Sequence, residues 1–176
     1  MTIILKILLG IGILIAFLLV VAMFVKNEYT VQRQIVINKP KQDVFDYIKY
    51  MKNQDNYNKW VMVDPNMKKD WKGADGTVGF VYAWDGNDKA GKGEQEIKNI
   101  TEGEKLDIEI RFIKPFESVA QTIMTTETVS NDQTRVNWQM NGTSKYPMNL
   151  MNLIIDNVLG KDLLASLEML KNNLEK

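Results

Sequence analysis

Cysteine and histidine are both missing from this 176-residue chain. Without thiols there are no disulfides and no thiolate nucleophiles, and without either residue there is no zinc site of the Cys/His type. Imidazole, the commonest general base, is excluded with them. Only four serines are present, and none stands in a G-x-S-x-G setting. An excess of charge of one sign is also lacking, since 22 Lys and Arg balance 22 Asp and Glu. The chain therefore shows neither a nucleic-acid footprint nor an acidic tail. The lack of cysteine assigns no compartment, because a Cys-free protein is tolerated on either side of a membrane.

Apolar sequence is plentiful, at 45% of residues, and its densest run is at the N-terminus. Ile7 to Val25, ILLGIGILIAFLLVVAMFV, gives nineteen consecutive apolar positions between Lys6 and Lys26. At about 1.5 Å per residue the run reaches roughly 28 Å, close to the hydrocarbon thickness of a bilayer. A cleaved signal peptide would have an apolar core of about 7–15 residues followed by a small-residue cleavage site. The run is longer, and no such site follows. Residues 1–27 are therefore expected to form an uncleaved single-pass anchor, contacting the membrane through residues 7–25, with one soluble domain over 28–176. Lys26, Arg33, Lys39 and Lys41 after the span favour a cytoplasmic domain. A short N-terminal tail with its own lysine also suits translocation of the downstream domain, so the side stays open.

Past the anchor the period changes. Tyr29 to Asn38 alternates, with Val31, Ile35 and Ile37 on one face, and predicts a strand. Pro40 suits the first turn of a helix carrying Val44, Phe45, Ile48 and Met51. A polar, turn-rich stretch follows to about Pro65. Five or six strands then come in order, separated by GADG, DGNDKAG, TEGEK, KPFE and SNDQ, as in an antiparallel meander. Leu106, Ile108, Ile110 and Phe112 face one way and Asp107, Glu109 and Arg111 the other. Lys92, Glu94, Glu96 and Lys98 make one charged row, which reads as a solvated outer face. Gly79 and Gly93 inside strand patterns mark bends or bulges, so the sheet is expected to curve.

A curved sheet with one apolar face needs a cover, and a helix from about Pro147 to Leu174 is the candidate. Its stripe slips out of phase partway along. Leu150, Ile154 and Val158 step by four, yet the next members, Leu163, Leu167, Leu170 and Leu174, follow after a joint of five at Gly160. A π-bulge, kink or break at Gly160 would restore the phase.

The opening IVINKPKQDVFDYI, with Ile35, Ile37, Pro40, Val44, Phe45 and Ile48, resembles the start of the START/polyketide-cyclase/birch-allergen (SRPBCC) superfamily. The ending GKDLLASLEMLKNNLE, with Gly160, Leu163, Leu167, Leu170, Lys171 and Leu174, is similar to its closing helix. The resemblance covers roughly residues 29–176. It implies an α+β helix-grip fold, in which a curved antiparallel sheet wraps a long C-terminal helix, here preceded by one transmembrane helix. It also implies a deep hydrophobic cavity between sheet and helix, used by relatives for lipids, sterols, polyketides or hormones. No catalytic signature is shared widely enough to carry over.

The candidate lining is Trp60, Phe80, Tyr82, Trp84, Phe112, Met124, Trp138, Met140, Met148 and Met151. Thioethers repack around varied ligands, although the same residues also suit ordinary core. Each buried indole needs a partner for its N–H. Tyr82 is the one internal acid candidate, and nothing calls for a cofactor or metal. Three functions fit: a membrane-tethered domain binding a lipid or other hydrophobic small molecule, a polyketide cyclase- or hydrolase-like enzyme, or an interaction or stress module with a filled core. Roughly 300 Å³ of enclosed apolar space would separate the last from the others. Oligomeric state is not legible.

Overall fold

The structure, a computed structural model, describes residues 2–176. Helix α1 (Ile3–Ala22) is followed by β1 (Glu28–Ile37), α2 (Lys41–Ile48) and a 3-10 helix, Met51–Asn56. Six more strands follow: β2 (Lys68–Lys72), β3 (Val81–Asp85), β4 (Lys92–Thr101), β5 (Lys105–Lys114), β6 (Ser118–Ser130) and β7 (Gln133–Thr143). A second 3-10 helix, Met148–Leu153, leads into α3 (Ile155–Leu174). The seven strands form one antiparallel sheet in the order β1-β7-β6-β5-β4-β3-β2, so β1 closes against β7 and all other neighbours are consecutive.

Alternation sets the faces. Leu106, Ile108 and Ile110 of β5, and Val136, Trp138 and Met140 of β7, are buried on the concave side. The intervening Asp107, Glu109 and Arg111 stay partly exposed on the convex side. The sheet bends where its register shifts, between Lys92 and Gly93 and again between Ile97 and Asn99. At Gly93 a Cβ would lie 2.6 Å from the Arg111 carbonyl oxygen and 2.7 Å from the Trp84 ring. Glycine is needed there because the indole and the next strand occupy the space a side chain would take.

Strand β2 carried no legible strand signal because Lys68, Lys69, Asp70, Trp71 and Lys72 do not alternate. It is a charged edge strand, the composition that keeps an open edge soluble.

The closing helix is shorter than expected. Only Ile155–Leu174 is α-helical, about 30 Å, and the preceding segment is 3-10. No break occurs at Gly160, through which α3 runs without interruption. The stripe is in phase once its true members are used: Ile155 and Leu159 are half-buried, Leu163, Leu167 and Leu170 fully buried. Ile154 and Val158, which produced the slip, are exposed. Gly160 has another role. A Cβ there would fall on the Arg33 guanidinium. Arg33 shares the inner face of β1 with Val31 and Ile35, lies over the glycine and pairs with Asp156 at 2.9 Å.

The core is formed by the sheet, α2, the first 3-10 helix and α3, with Phe45, Met51, Tyr57, Tyr82 and Leu163 among its fully buried members. Helix α1 stands outside it, exposed along its length except at Val21 and Ala22. It is long and apolar enough to cross a membrane.

Candidate functional site

The interior is divided in two. Towards α2 it is solid: Phe45, Ile48, Met51, Tyr57 and Met124 are all fully buried. Towards the start of α3 it is hollow, with a cavity of about 410 Å³. Trp138 stands at the division, with Tyr57 edge-on at 6.1 Å and Trp60 edge-on at 6.3 Å between ring centroids. Such edge-to-face contacts are a favoured arrangement of aromatic pairs, and they close the solid half off from the cavity.

Five of the residues expected in the lining are brought together there: Trp60, Trp84, Phe112, Met140 and Met151. Met67, the other methionine on the wall, lies near the β3–β4 loop. Phe80, Tyr82, Met124 and Trp138 share the concave face but belong to the solid half. Met148 is placed elsewhere. It lies on the second 3-10 helix, about half exposed and outside the cavity wall, because that segment does not continue the α3 stripe. Sequence reasoning missed Tyr29, Val61, Ile110, Ile155 and Leu159, which complete the wall. For Ile155 and Leu159 the signal was present, and assigning the stripe to Ile154 and Val158 concealed it.

Two of the expected indole partners are protein groups. Trp138 Nε1 donates to Thr122 Oγ1 at 2.7 Å, which itself donates to the Gln139 carbonyl. Trp84 Nε1 donates to the Ala90 carbonyl at 3.1 Å and so holds the β3–β4 loop over the cavity. Asp64 holds the same loop from below, accepting the Asn87 backbone N–H at 2.8 Å. The rings of Trp84 and Phe112 meet edge-on at 6.0 Å, forming a corner of the wall.

The wall has few buried polar groups. Asn58 and Gln95 lie on it, and both donate amide N–H groups to Gln54 Oε1 at 2.9 Å. All three amides are more than nine-tenths buried. Asn58 also accepts the Trp60 backbone N–H at 3.1 Å. An amide has more donor and acceptor sites than these contacts use, so Asn58 and Gln95 can still bond a ligand's hydroxyl or carbonyl. Burial pushes the Tyr29 hydroxyl above its ordinary pKa and keeps it neutral.

The mouth lies between the start of α3 and the loops opposite. Met151, Ile154 and Val158 line one side, and Lys89, Lys114 and Pro115 the other.

The charged row of β4 and the Tyr82 hydroxyl lie elsewhere. Arg111 binds Glu94 at 2.7 Å, Glu96 at 2.8 Å and Glu109 on the convex face. Hydrogen bonds from Arg111 hold the Glu96 and Glu109 carboxyls below their ordinary range, the direction expected of a solvated ion-pair network. Tyr82 donates its hydroxyl to Asp55 at 2.8 Å, away from the cavity. Burial first, then this bond, drive its pKa far up and make it a weaker acid. Among the described residues, no group of three or more Asp or Glu side chains could hold a metal ion.

A curved antiparallel sheet gripping a C-terminal helix over an apolar cavity is the helix-grip fold, and solved structures share it. Truncated norcoclaurine synthase from Thalictrum flavum superposes with a TM-score of 0.67 at 7% identity, covering 84% of this chain and 93% of that one. Ara h 8.0201 gives 0.60 at 12% identity, covering 84% and 97%. Protein CV1439 from Chromobacterium violaceum gives 0.61 at 14%, again covering 84% and 97%. These neighbours are Bet v1-like proteins, which belong to the SRPBCC superfamily, and at such identities the likeness establishes the fold alone. No protein-family model and no curated protein matches the sequence.

Proposed function

We propose that this chain is a membrane-tethered binding protein whose helix-grip domain takes a lipid or other hydrophobic small molecule into the cavity beneath α3. The cavity itself carries the reading. Its volume of about 410 Å³ falls within the roughly 300–1,000 Å³ of small-molecule sites. Its wall is largely apolar, with two buried amides to orient a single neutral polar group. A filled-core module would not leave this space. Binding is favoured over catalysis because the buried polar side chains of the wall are amides, which neither take up nor release a proton. Lys89 and Lys114 are exposed at the rim, Asp162 is paired with Lys59, and burial keeps the Tyr29 hydroxyl protonated. A related scaffold accepts small molecules: norcoclaurine synthase from Thalictrum flavum is known in complex with dopamine and hydroxybenzaldehyde. In this reading α1 is the single-pass anchor, and the lysines after it favour a cytoplasmic domain.

Native mass spectrometry of residues 28–176, purified without detergent, tests the proposal. The expected spectrum carries an added mass that organic extraction removes and that added fatty acid restores. A bare mass in every preparation, with no uptake of fatty acid, would contradict it.

A further inference from the structure

The C-terminal end of α1 is clamped to the segment that forms the cavity mouth. Asn149 Nδ2 donates to the carbonyls of Ala22 and Val25, both at 2.8 Å. Asn152 Nδ2 donates to those of Lys26 at 2.9 Å and Asn27 at 3.0 Å. Only the Ala22 carbonyl belongs to the helix, where it also accepts the Val25 N–H at 3.3 Å. The other three lie in the turn that leaves it, so the asparagines fix the exit of the chain from α1. The Ser144 hydroxyl fixes Asn152 at 2.8 Å, and Tyr146 donates to the Leu19 carbonyl at 3.4 Å. The 3-10 helix Met148–Leu153 is thereby held where α1 ends.

That placement accounts for a surface that is otherwise costly. Met148, Met151, Leu153, Ile154 and Val158 are each about half exposed or more, at 52, 50, 64, 48 and 56%. Met23 and Phe24, leaving α1, are 72 and 84% exposed, and Phe116, next to Pro115 of the opposite rim, is 70%. Large apolar side chains gathered at one end mark a surface with a partner. Here the clamp identifies it, because a helix crossing a bilayer brings whatever is bonded to its end to the level of the headgroups.

We propose that the mouth of the cavity lies on the bilayer crossed by α1, with Met151, Ile154, Val158 and Phe116 in its interfacial layer, so that ligand passes between membrane and cavity without entering water. The inference rests on the reading of α1 as a membrane span. Lys89 and Lys114 stand at the same rim, where their stems reach headgroup depth. Asp88, next to Lys89, and Glu117, three residues after Lys114, offset part of that charge, so the apolar cluster carries the contact.

The chain has no native cysteine, so single labels can be placed directly. Ile15→Cys, Phe116→Cys, Met151→Cys, Ile154→Cys and Asp132→Cys are each made in the full chain, spin-labelled and reconstituted into phosphatidylcholine vesicles containing phosphatidylglycerol. Collision with oxygen, which concentrates in lipid, is compared with collision with an aqueous nickel chelate. Labels at 116, 151 and 154 are expected to favour oxygen severalfold over the label at 132, which lies in the β6–β7 turn at the far end of the sheet. The label at 15 should favour oxygen most. Oxygen preference at 15 with aqueous behaviour at 116, 151 and 154 overturns the docking and leaves the anchor standing. Aqueous behaviour at 15 overturns the anchor itself. Shielding of 151 and 154 from both reagents, with spin–spin broadening, would show a second copy on this surface and also overturn the proposal.

Discussion

Gly160 shows how one residue can mislead a pattern and still be explained. Its lack of a side chain leaves room for Arg33, whose guanidinium bonds both the carboxylate and the backbone carbonyl of Asp156. The hydrogen bond from Arg33 holds the Asp156 carboxyl below its ordinary pKa. A group shifted down contributes stability above its unfolded pKa and loses it as pH falls through the folded one. Gly160→Ala should expel the guanidinium, because the new Cβ cannot share its position. NMR titration of Asp156 would then show its pKa returning towards the ordinary carboxylate value. An unchanged pKa would mean that Arg33 is not held against Gly160. Neither partner of this pair was legible in the sequence: a charged residue in the inner row of a strand reads as an interruption, and only the opposing helix shows what accommodates it.

At the scale of elements, legibility followed periodicity. Strands β5 and β7 alternate cleanly, so their inner faces are readable from Leu106, Ile108, Val136 and Trp138, whereas β4 is legible only by its charged outer row. Strand β2 does not alternate, because an edge strand of lysines has no buried face to encode. The segment Met148–Leu153 reads as α-helix because its apolar residues suit one, yet their partners are the end of α1 and, on the proposed docking, a bilayer. Two-sidedness gives a test on β4. Glu94 and Glu96 meet Arg111 on the convex face, whereas Gln95 between them lies on the cavity wall. Changing both glutamates to glutamine should leave ligand binding at the wild-type level and shift stability by no more than about 1 kcal/mol, as for exposed ion pairs. Gln95→Leu should instead weaken binding of hydroxyl- or carbonyl-bearing ligands, since it removes the inner amide. A large loss of binding in the double glutamate variant would move the site to the outer face.

The whole molecule combines a solid half with a hollow half, joined to an apolar helix at the hollow end. The fold was legible because its order of elements follows from strand spacing and one closing helix. The division of the interior was not, since Trp60 and Trp138 have the same composition signal and only packing separates wall from core. The central claim is that the space under α3 is a binding cavity, and filling it tests this most directly. Ile110, on the wall and 9% exposed, is changed to tryptophan, with Met148→Trp outside the cavity as the control. Titration with a fluorescent polyene fatty acid, beside thermal unfolding, should show wild type and Met148→Trp binding alike. Ile110→Trp should bind at least about tenfold more weakly, equivalent to about 1.4 kcal/mol, with its unfolding temperature unchanged or raised. No binding by the wild-type domain, or full binding by an Ile110→Trp variant destabilised by the roughly 1–3 kcal/mol of an overpacked core, would contradict the account.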